Sequence, residues 1–259
     1  MHTPFFPELR GLPGVSEPKT TTREVLNALR YMERTGCQWR NMPHDFPPFS
    51  TIQKHFYRWS REDRFREFRE HMTAASRVHE GRSPSPTAGV IDSQSVKTTA
   101  FGGPAGKDAN KKIVGRKRHI LVDVSGLVIA VIITIASVQD RDGGAALLRA
   151  ASTLVPSLTL VWVDDAYNGD VLAKASVETG IRVERTSRPK GAVGFTPVRK
   201  RWVVERTFGW LHWARRHSKD YEKTMESSLA WVNITLGRIM SQRLGGRAPK
   251  IRQENEVAA

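Results

Sequence analysis

The stretch LTLVWVDDAYNG, Leu158 to Gly169, decides how this chain reads. Its first half is an apolar run, the mark of a strand bound for a core. It ends in two adjacent carboxylates, Asp164 and Asp165, in a chain of formal net charge +15. A buried, unpaired carboxylate is costly. The pair therefore calls for an exposed strand end, a cationic partner or a metal ion.

The segments around this stretch alternate between strand and helix patterns. Ala88 to Val96 reads as a strand. His119 to Val124 and Leu127 to Ser137 read as two β-branched strands joined at Ser125 and Gly126, a hairpin signal. Asp140 is placed to cap a helix through Leu147 and Leu148. A helix over 169–179 and a short strand over 181–185 follow. A polar stretch with Pro189, Gly191, Gly194 and Pro197 then leads to a long helix over 198–217 and a last helix over 227–243. That order predicts an α/β domain, a mixed sheet with helices on its faces.

The N-terminal part reads differently. Residues 1–20 carry scattered Pro and Gly and predict an irregular arm. Thr21 and Glu24 have capping-box spacing, Val25, Leu29 and Met32 recur at helical spacing, and Gly36 stops the helix. Ser50 and Gln53 have the same box spacing ahead of Ile52, Phe56 and Trp59. A charged helix then runs through Phe65 and Phe68 to about Arg77. Two readings stand for residues 21–80: a DNA-binding module resembling helix-turn-helix, or a plain helical subdomain with solvated charges. The segment 81–87, GRSPSPT, reads as a linker to a domain over 88–245, with a polar tail over 246–259.

A chain of 259 residues can bury a substantial core. The pI of about 10.4 favours polyanionic partners, nucleic acid first and an anionic membrane surface second. Residues 1–80 hold 13 Lys and Arg against 10 Asp and Glu, residues 81–160 hold 10 against 5, and residues 161–259 hold 18 against 11. The basic excess is therefore greatest past the N-terminal module. Cys37 is the single cysteine, so no internal disulfide forms. The start lacks the pattern of a signal peptide. The longest apolar run, Leu127 to Ala136, is half the roughly 20 residues a membrane helix needs. A soluble cytoplasmic protein is expected.

Three carboxylates stand where a core would not hold them: Asp92 inside Gly89-Val-Ile-Asp-Ser, Asp164 at its strand end, and Glu205 on a helix crowded with aromatics. Each alone fits a cap or an ion pair, and Arg201 with Glu205 has the spacing of an ordinary helical pair. Together in a basic protein they also fit a magnesium site, because Mg²⁺ takes hard oxygen ligands and substrate phosphate. Arg201, Glu205, Phe208 and His212 fall on one helical stripe. Trp202, Trp210 and Trp213 read as core. The run Lys107 to Arg118 is the densest basic segment, either a solvated loop or a set of phosphate contacts. Its glycine-rich start is one residue short of a P-loop and has Asp108 where Ser or Thr is required. One cysteine and scattered histidines do not make a zinc site.

The blocks Gly89-Val-Ile-Asp-Ser-Gln-Ser-Val-Lys97, Gly115-Arg-Lys-Arg-His-Ile-Leu-Val-Asp123, Ala136-Ser-Val-Gln-Asp-Arg-Asp142 and Arg201-Trp-Val-Val-Glu-Arg-Thr-Phe208 resemble bacterial insertion-sequence transposases. The resemblance is to the acidic-triad (DDE) type, insertion-sequence-five family. Thr35-Gly-Cys-Gln-Trp-Arg40 and Pro43-His-Asp-Phe-Pro-Pro48 resemble that family's N-terminal domain. The likeness covers residues 21 to 243.

It implies a ribonuclease-H-like catalytic domain, with Asp92, Asp164 and Glu205 as both catalytic triad and metal ligands. It implies Mg²⁺ as cofactor, with Mn²⁺ as substitute, and double-stranded DNA, both element ends and target, as partner. An assembly of at least two copies is expected on DNA. The implied chemistry is hydrolysis at element ends, then attack of the freed 3′-OH on target DNA. The DNA-contacting residues expected are Lys97, Lys111, Lys112, Arg116, Lys117, Arg118, Arg201 and Arg215. Asp165 falls in the variable place of the family's Asp-x-Gly-Tyr block, and Tyr167 in the tyrosine place. The chain departs from the pattern at Ala166 (glycine), Val198 (tyrosine) and His212 (lysine), with Arg215 or Arg216 one turn later as replacement cations. The alternative reading is a protein of the same fold that binds element ends without cutting them. A basic RNA-associated protein is a third, disfavoured by the carboxylate trio.

Overall fold

Thr21 starts the first helix, α1 (Thr22–Thr35), through the expected reciprocal box. Its hydroxyl accepts from the Glu24 N–H at 3.2 Å, and the Glu24 carboxylate accepts from the Thr21 N–H at 2.7 Å. Gly36 ends the helix in the left-handed region at φ 70°, where a glycine carries no Cβ penalty. The second box does not form. Helix α2 (Phe49–Arg61) starts one residue before Ser50, with Pro48 at its N-cap and no side-chain cap. The Pro48 carbonyl takes the first amides, from Thr51 and Ile52, and its ring pre-sets a φ suited to a helix start. Helix α3 (Arg64–His79) follows.

The structure is a computed structural model that describes residues 5–6, 20–100, 102–186 and 201–246. The polar stretch with Pro189 and Pro197, position 198, and the tail from 247 lie outside the described residues. So does the N-terminal arm except Phe5, Phe6 and Thr20. Phe6 is buried among the rings of Trp59, Phe65 and Phe68, with centroids 5.0 to 5.7 Å away.

The sheet is built on two long strands. Strand β1 (Ala88–Lys97) pairs antiparallel with β3 (Ile113–Asp123), Asp92 opposite Ile120 and Gln94 opposite Arg118. The far edge of β3 takes β4 (Val128–Ile135) over most of its length and the short β2 (Gly106–Asp108) at its start. On the other side β1 runs parallel to β5 (Leu160–Val163), and β5 parallel to β6 (Arg182–Arg185). Without the short β2, the order is β4-β3-β1-β5-β6, an antiparallel meander extended by two parallel strands. This is the expected ribonuclease-H-like mixed sheet. The expected strand at His119 begins earlier, at Ile113, so much of the basic run is strand and not loop.

Helices cover both faces. On one side α4 (Asp140–Leu154) and α5 (Asp170–Thr179) close a core of Ile91, Leu121, Leu147, Leu148, Val161 and Val163. On the other, α6 (Trp202–His212) and α7 (Met225–Leu244) close one of Val90, Ile120, Val122, Phe208 and Leu236. Asp140 is the first residue of α4 and not its cap. The N-cap is Gln139, without a side-chain bond, because Ser93 and Lys117 hold the Asp140 carboxylate. Where a helix over 198–217 was expected, α6 ends at His212 and a 3₁₀ turn, Arg215–His217, follows. Of the three tryptophans read as core, only Trp210 is buried; Trp202 and Trp213 are 48% and 41% exposed.

Helices α1 to α3 do not close a core alone. Ala230, Trp231 and Ile234 of α7 join Val25, Leu29, Phe56, Trp59 and Phe65 in one cluster. Trp231 stacks on Phe56 with centroids 4.8 Å apart. Arg69 of α3, 1% exposed, donates to the Asn233 side chain and to the carbonyls of Val128 and Ile129. Burial lowers its pKa to about 10, so it stays charged at neutral pH. No helix among the described residues is long and apolar enough to cross a membrane.

Candidate active site

Alternation along β1 sorts its polar residues onto two faces. Ser93 and Ser95 face α4. Ser93 donates to Asp140 at 2.6 Å and Ser95 to Asp108 at 2.6 Å. Lys117 lies 3.0 Å from Asp140 and 3.6 Å from Asp108. These bonds and the neighbouring Lys117 and Lys111 hold the Asp108 carboxyl down at about 2 although burial opposes it. Asp92 and Gln94 point the other way, toward α6.

Asp164 leaves the end of β5, the parallel neighbour of β1. A single nitrogen of Arg201, just ahead of α6, stands 3.6 Å from Asp92 and 3.3 Å from Asp164. The two aspartates are thus gathered on one face around one guanidinium, and the ordinary helical pair of Arg201 with Glu205 does not form. Burial raises the Asp92 carboxyl to about 6. The nearby Asp164 adds to the rise, while the Ser93 N–H and Arg201 oppose it. Asp164 is oriented by the Ala166 N–H at 3.0 Å, and its carbonyl accepts from the Tyr167 N–H at 3.1 Å. Ala166 has no positive φ, so alanine serves this turn where the family pattern has glycine. Tyr167 packs in the core on the α4 side, and Asp165 is exposed.

Glu205 sits in the first turn of α6 and is exposed. Among the described residues it makes no ion pair, and no three His, Cys, Asp or Glu side chains are gathered closely enough to hold a metal ion. Two of the three expected ligands are brought together, and the third is not. At the other end of α6, His212 comes within 3.2 Å of Gln94, so the Arg201–His212 stripe does run along the face of β1.

The basic residues divide sharply. Lys97, Lys111, Lys112 and Arg215 are exposed. Arg116, Lys117 and Arg118 are buried in β3, which corrects their placement on a phosphate-binding surface. A charge in the interior has to be paired. Arg116 meets Asp220 at 3.0 Å, Lys117 meets the two aspartates above, and Arg118 donates to Gln94 and to the His217 carbonyl. Arg216 is also occupied, bonded to Glu222 at 2.5 Å and lying 4.2 Å over the Trp231 ring. Only Arg215 of that pair is left as an exposed cation. Sequence reasoning missed the Ser93–Asp140–Lys117 network. The signal for it was the strand alternation of Ser93 and Ser95 against Asp92 and Gln94.

A family model described as "Transposase DDE domain" matches residues 83–239, and one described as "Putative transposase of IS4/5 family" matches residues 2–69. The chain is 28% identical over 131 residues to "Putative transposase for insertion sequence element IS402" of Burkholderia cepacia, covering 46% of this chain and 60% of that protein. It is 35% identical over 49 residues to "Uncharacterized protein y4sN" of Sinorhizobium fredii, covering 19% of this chain and 39% of that one. The chain thus spans less than two thirds of either relative's length. Among solved structures, that of the Mos1 strand transfer complex aligns at a TM-score of 0.29 and 13% identity, over 92% of this chain and 82% of that one. The Mos1 paired-end complex with Mn aligns at 0.29 and 11%, with the same coverage. The first family model takes in the whole sheet, both gathered aspartates and the helix that carries Glu205. The chain belongs to the transposase DDE domain family.

Proposed function

We propose that this protein binds the ends of an insertion element, hydrolyses phosphodiester bonds there, and joins the freed 3′-OH ends to target DNA. The observation that carries the reading is the meeting of Asp92 and Asp164 at one cation, Arg201, in a chain of net charge +15. Two carboxylates from neighbouring strands, one of them raised to about 6 chiefly by burial and further by the other, form a seat that a divalent cation would relieve. Mg²⁺ commonly takes one or two protein carboxylates and completes its shell with water and phosphate, so the pair fits it. Asp92 and Asp164 would hold Mg²⁺ or Mn²⁺, with Glu205 as the third ligand once DNA brings it to the pair. The bound cation would supply charge neutralisation at the scissile phosphate and an acidified water.

The protein's own groups do the positioning. Arg201 keeps the two aspartates from repelling each other before DNA arrives. The Ala166 N–H fixes the Asp164 carboxylate, and the Ser93 N–H fixes that of Asp92. Lys97, Lys111 and Lys112 offer exposed charge for phosphates. Two copies are required, because two element ends must meet.

Cleavage of a duplex carrying an element end, with Mg²⁺ or Mn²⁺, tests this. Activity lost in Asp92→Asn, Asp164→Asn and Glu205→Gln but kept in Asp165→Asn supports the reading. Metal-dependent cutting that survives Asp92→Asn and Asp164→Asn sinks it. One observation favours a second reading, an end-binding protein that no longer cuts: Glu205 stands apart from the aspartates. Tight binding by the wild type, with no cleavage in either metal, would select it.

A further inference from the structure

Away from the aspartates, α1 and the end of α6 enclose an open groove of about 740 Å³. Its charged walls are Arg30 and Arg34 of α1 and Arg215 of the 3₁₀ turn. Tyr31, Phe46 and Trp213 supply flat apolar surface between them. All three arginines are exposed, and among the described residues none lies within ion-pair distance of a carboxylate. The acids of α1 do not compensate them. Glu24 is spent on the Thr21 cap, and Glu33 is fully buried against Arg238 at 2.7 Å. Arg23 and Asn27 continue the stripe at i, i+4, i+7 and i+11, all exposed, so one whole face of α1 carries positive charge alone.

The groove is held in place. A Cβ on Gly36 would stand 3.4 Å from the Arg215 backbone, so the end of α1 rests directly on the turn that follows α6. That fixes Arg30 and Arg34 relative to Arg215 across two segments of the chain far apart in sequence. It also fixes the groove relative to Glu205. Eight residues of helical rise separate Glu205 from Trp213, about 12 Å at 1.5 Å each. A DNA strand advances about 3.4 Å per phosphate, so a strand along α6 spans that distance in three to four nucleotides.

We propose that this groove seats the sugar-phosphate backbone of duplex DNA, at the far end of α6 from the Asp92–Asp164 pair and three to four nucleotides along that helix from Glu205. The inference rests on the transposase reading above and assigns its DNA a track: along α1 and over Arg215, not over the buried arginines of β3. Guanidiniums match phosphate bidentately, and the contacts read no sequence.

The test is a fluorescence-anisotropy titration of the full chain with a labelled duplex that carries an element end, repeated across about 50 to 200 mM salt. Arg30→Gln, Arg34→Gln and Arg215→Gln are measured singly and together, with exposed Lys174→Gln on α5 as control. The expected result is a log–log salt slope reduced by about 0.9 per arginine and about 2.7 in the triple variant, at unchanged melting temperature. Lys174→Gln keeps the wild-type slope. A triple variant that is folded and binds with the wild-type slope overturns the track while leaving the transposase reading intact. Equal displacement of the DNA by an RNA hairpin also overturns it. A wild type that binds no duplex at all defeats the transposase reading itself.

Discussion

Arg201 reaches Asp164 at 3.3 Å with the same nitrogen that faces Asp92, so the position between the aspartates is held by a side chain. The guanidinium and a divalent cation compete for the same negative charge. Arg201→Gln is therefore expected to bind Mn²⁺ more tightly, by roughly tenfold, the size of a ~1.4 kcal/mol electrostatic contribution. Calorimetric titration of DNA-free protein with MnCl₂ measures it. Equal or weaker affinity in the variant would show that Arg201 helps build the seat and does not compete for it.

Arg77 of α3 and Asp123 at the end of β3 form an ion pair closed to solvent, with Asp123 fully buried. Asp123 also accepts from the Ser125 and Leu127 amides at 2.8 and 2.9 Å, so it shapes the β3–β4 turn. Arg77→Met leaves Arg82, at 3.6 Å, as the remaining cation. Losing one partner of a buried pair costs about 3–5 kcal/mol. Urea unfolding should place Arg77→Met toward the lower end of that range. A loss under ~1 kcal/mol would mean Arg82 replaces the pairing.

His119 is fully buried in β3, and burial lowers its pKa to about 4. Its neutral form is the one folded, so its contribution is whole above the unfolded value of 6.5 and is lost as pH falls from there toward 4. Asp92 works with the opposite sign. Its raised pKa lets the folded protein take up a proton before the unfolded chain does, which stabilises the fold as pH falls from 6 toward 3.8. Wild-type stability should drop between pH 6.5 and 6, then fall less steeply. In His119→Gln the drop should be shallower by that one group, with the part due to buried His217, whose pKa burial also pushes well below 6.5, remaining. Denaturant melts across this range decide it.

Gly143 of α4 rests on the His119 ring, where an added Cβ would stand 2.2 Å from ring atoms. Gly209 of α6 faces open space, with nothing within 4 Å of an added Cβ. Gly143→Ala should destabilise by ~1–3 kcal/mol through overpacking, and Gly209→Ala should stabilise by up to ~1 kcal/mol through helix propensity. Thermal melts of the two variants should therefore move in opposite directions. A Gly143→Ala variant that melts no lower than the wild type would count against the close α4–β3 contact.

What the sequence revealed was whatever local chemistry sets. Thr21 with Glu24 and Gly36 bounded α1, and the apolar run before Asp164 placed that residue at a strand end. The meeting of Asp92 with Asp164 was also legible, because each sits at a break in a strand pattern. The fate of Arg116 to Arg118 was not. Arg116 is neutralised by Asp220, 104 residues later, and no window around the run contains that partner. Trp202 misled for a related reason: it flanks Arg206, whose guanidinium lies 4.4 Å over its ring, so the ring is partly covered by a charge and not by a core. The Ser50 box lost to Pro48, whose backbone starts the helix without a side chain.

The core shared by α1–α3 and α7 has a consequence for the order in which the protein is made. A polypeptide emerging from the ribosome presents Val25, Phe56 and Trp59 long before Trp231 is synthesised. Until α7 arrives, one wall of that cluster is missing and its aromatic residues stay open to water. A product truncated before Glu222 would also lack the carboxylate that holds Arg216. Prematurely ended chains are thus expected to be cut by proteases faster than the finished protein, because the core they would share with α7 stays open.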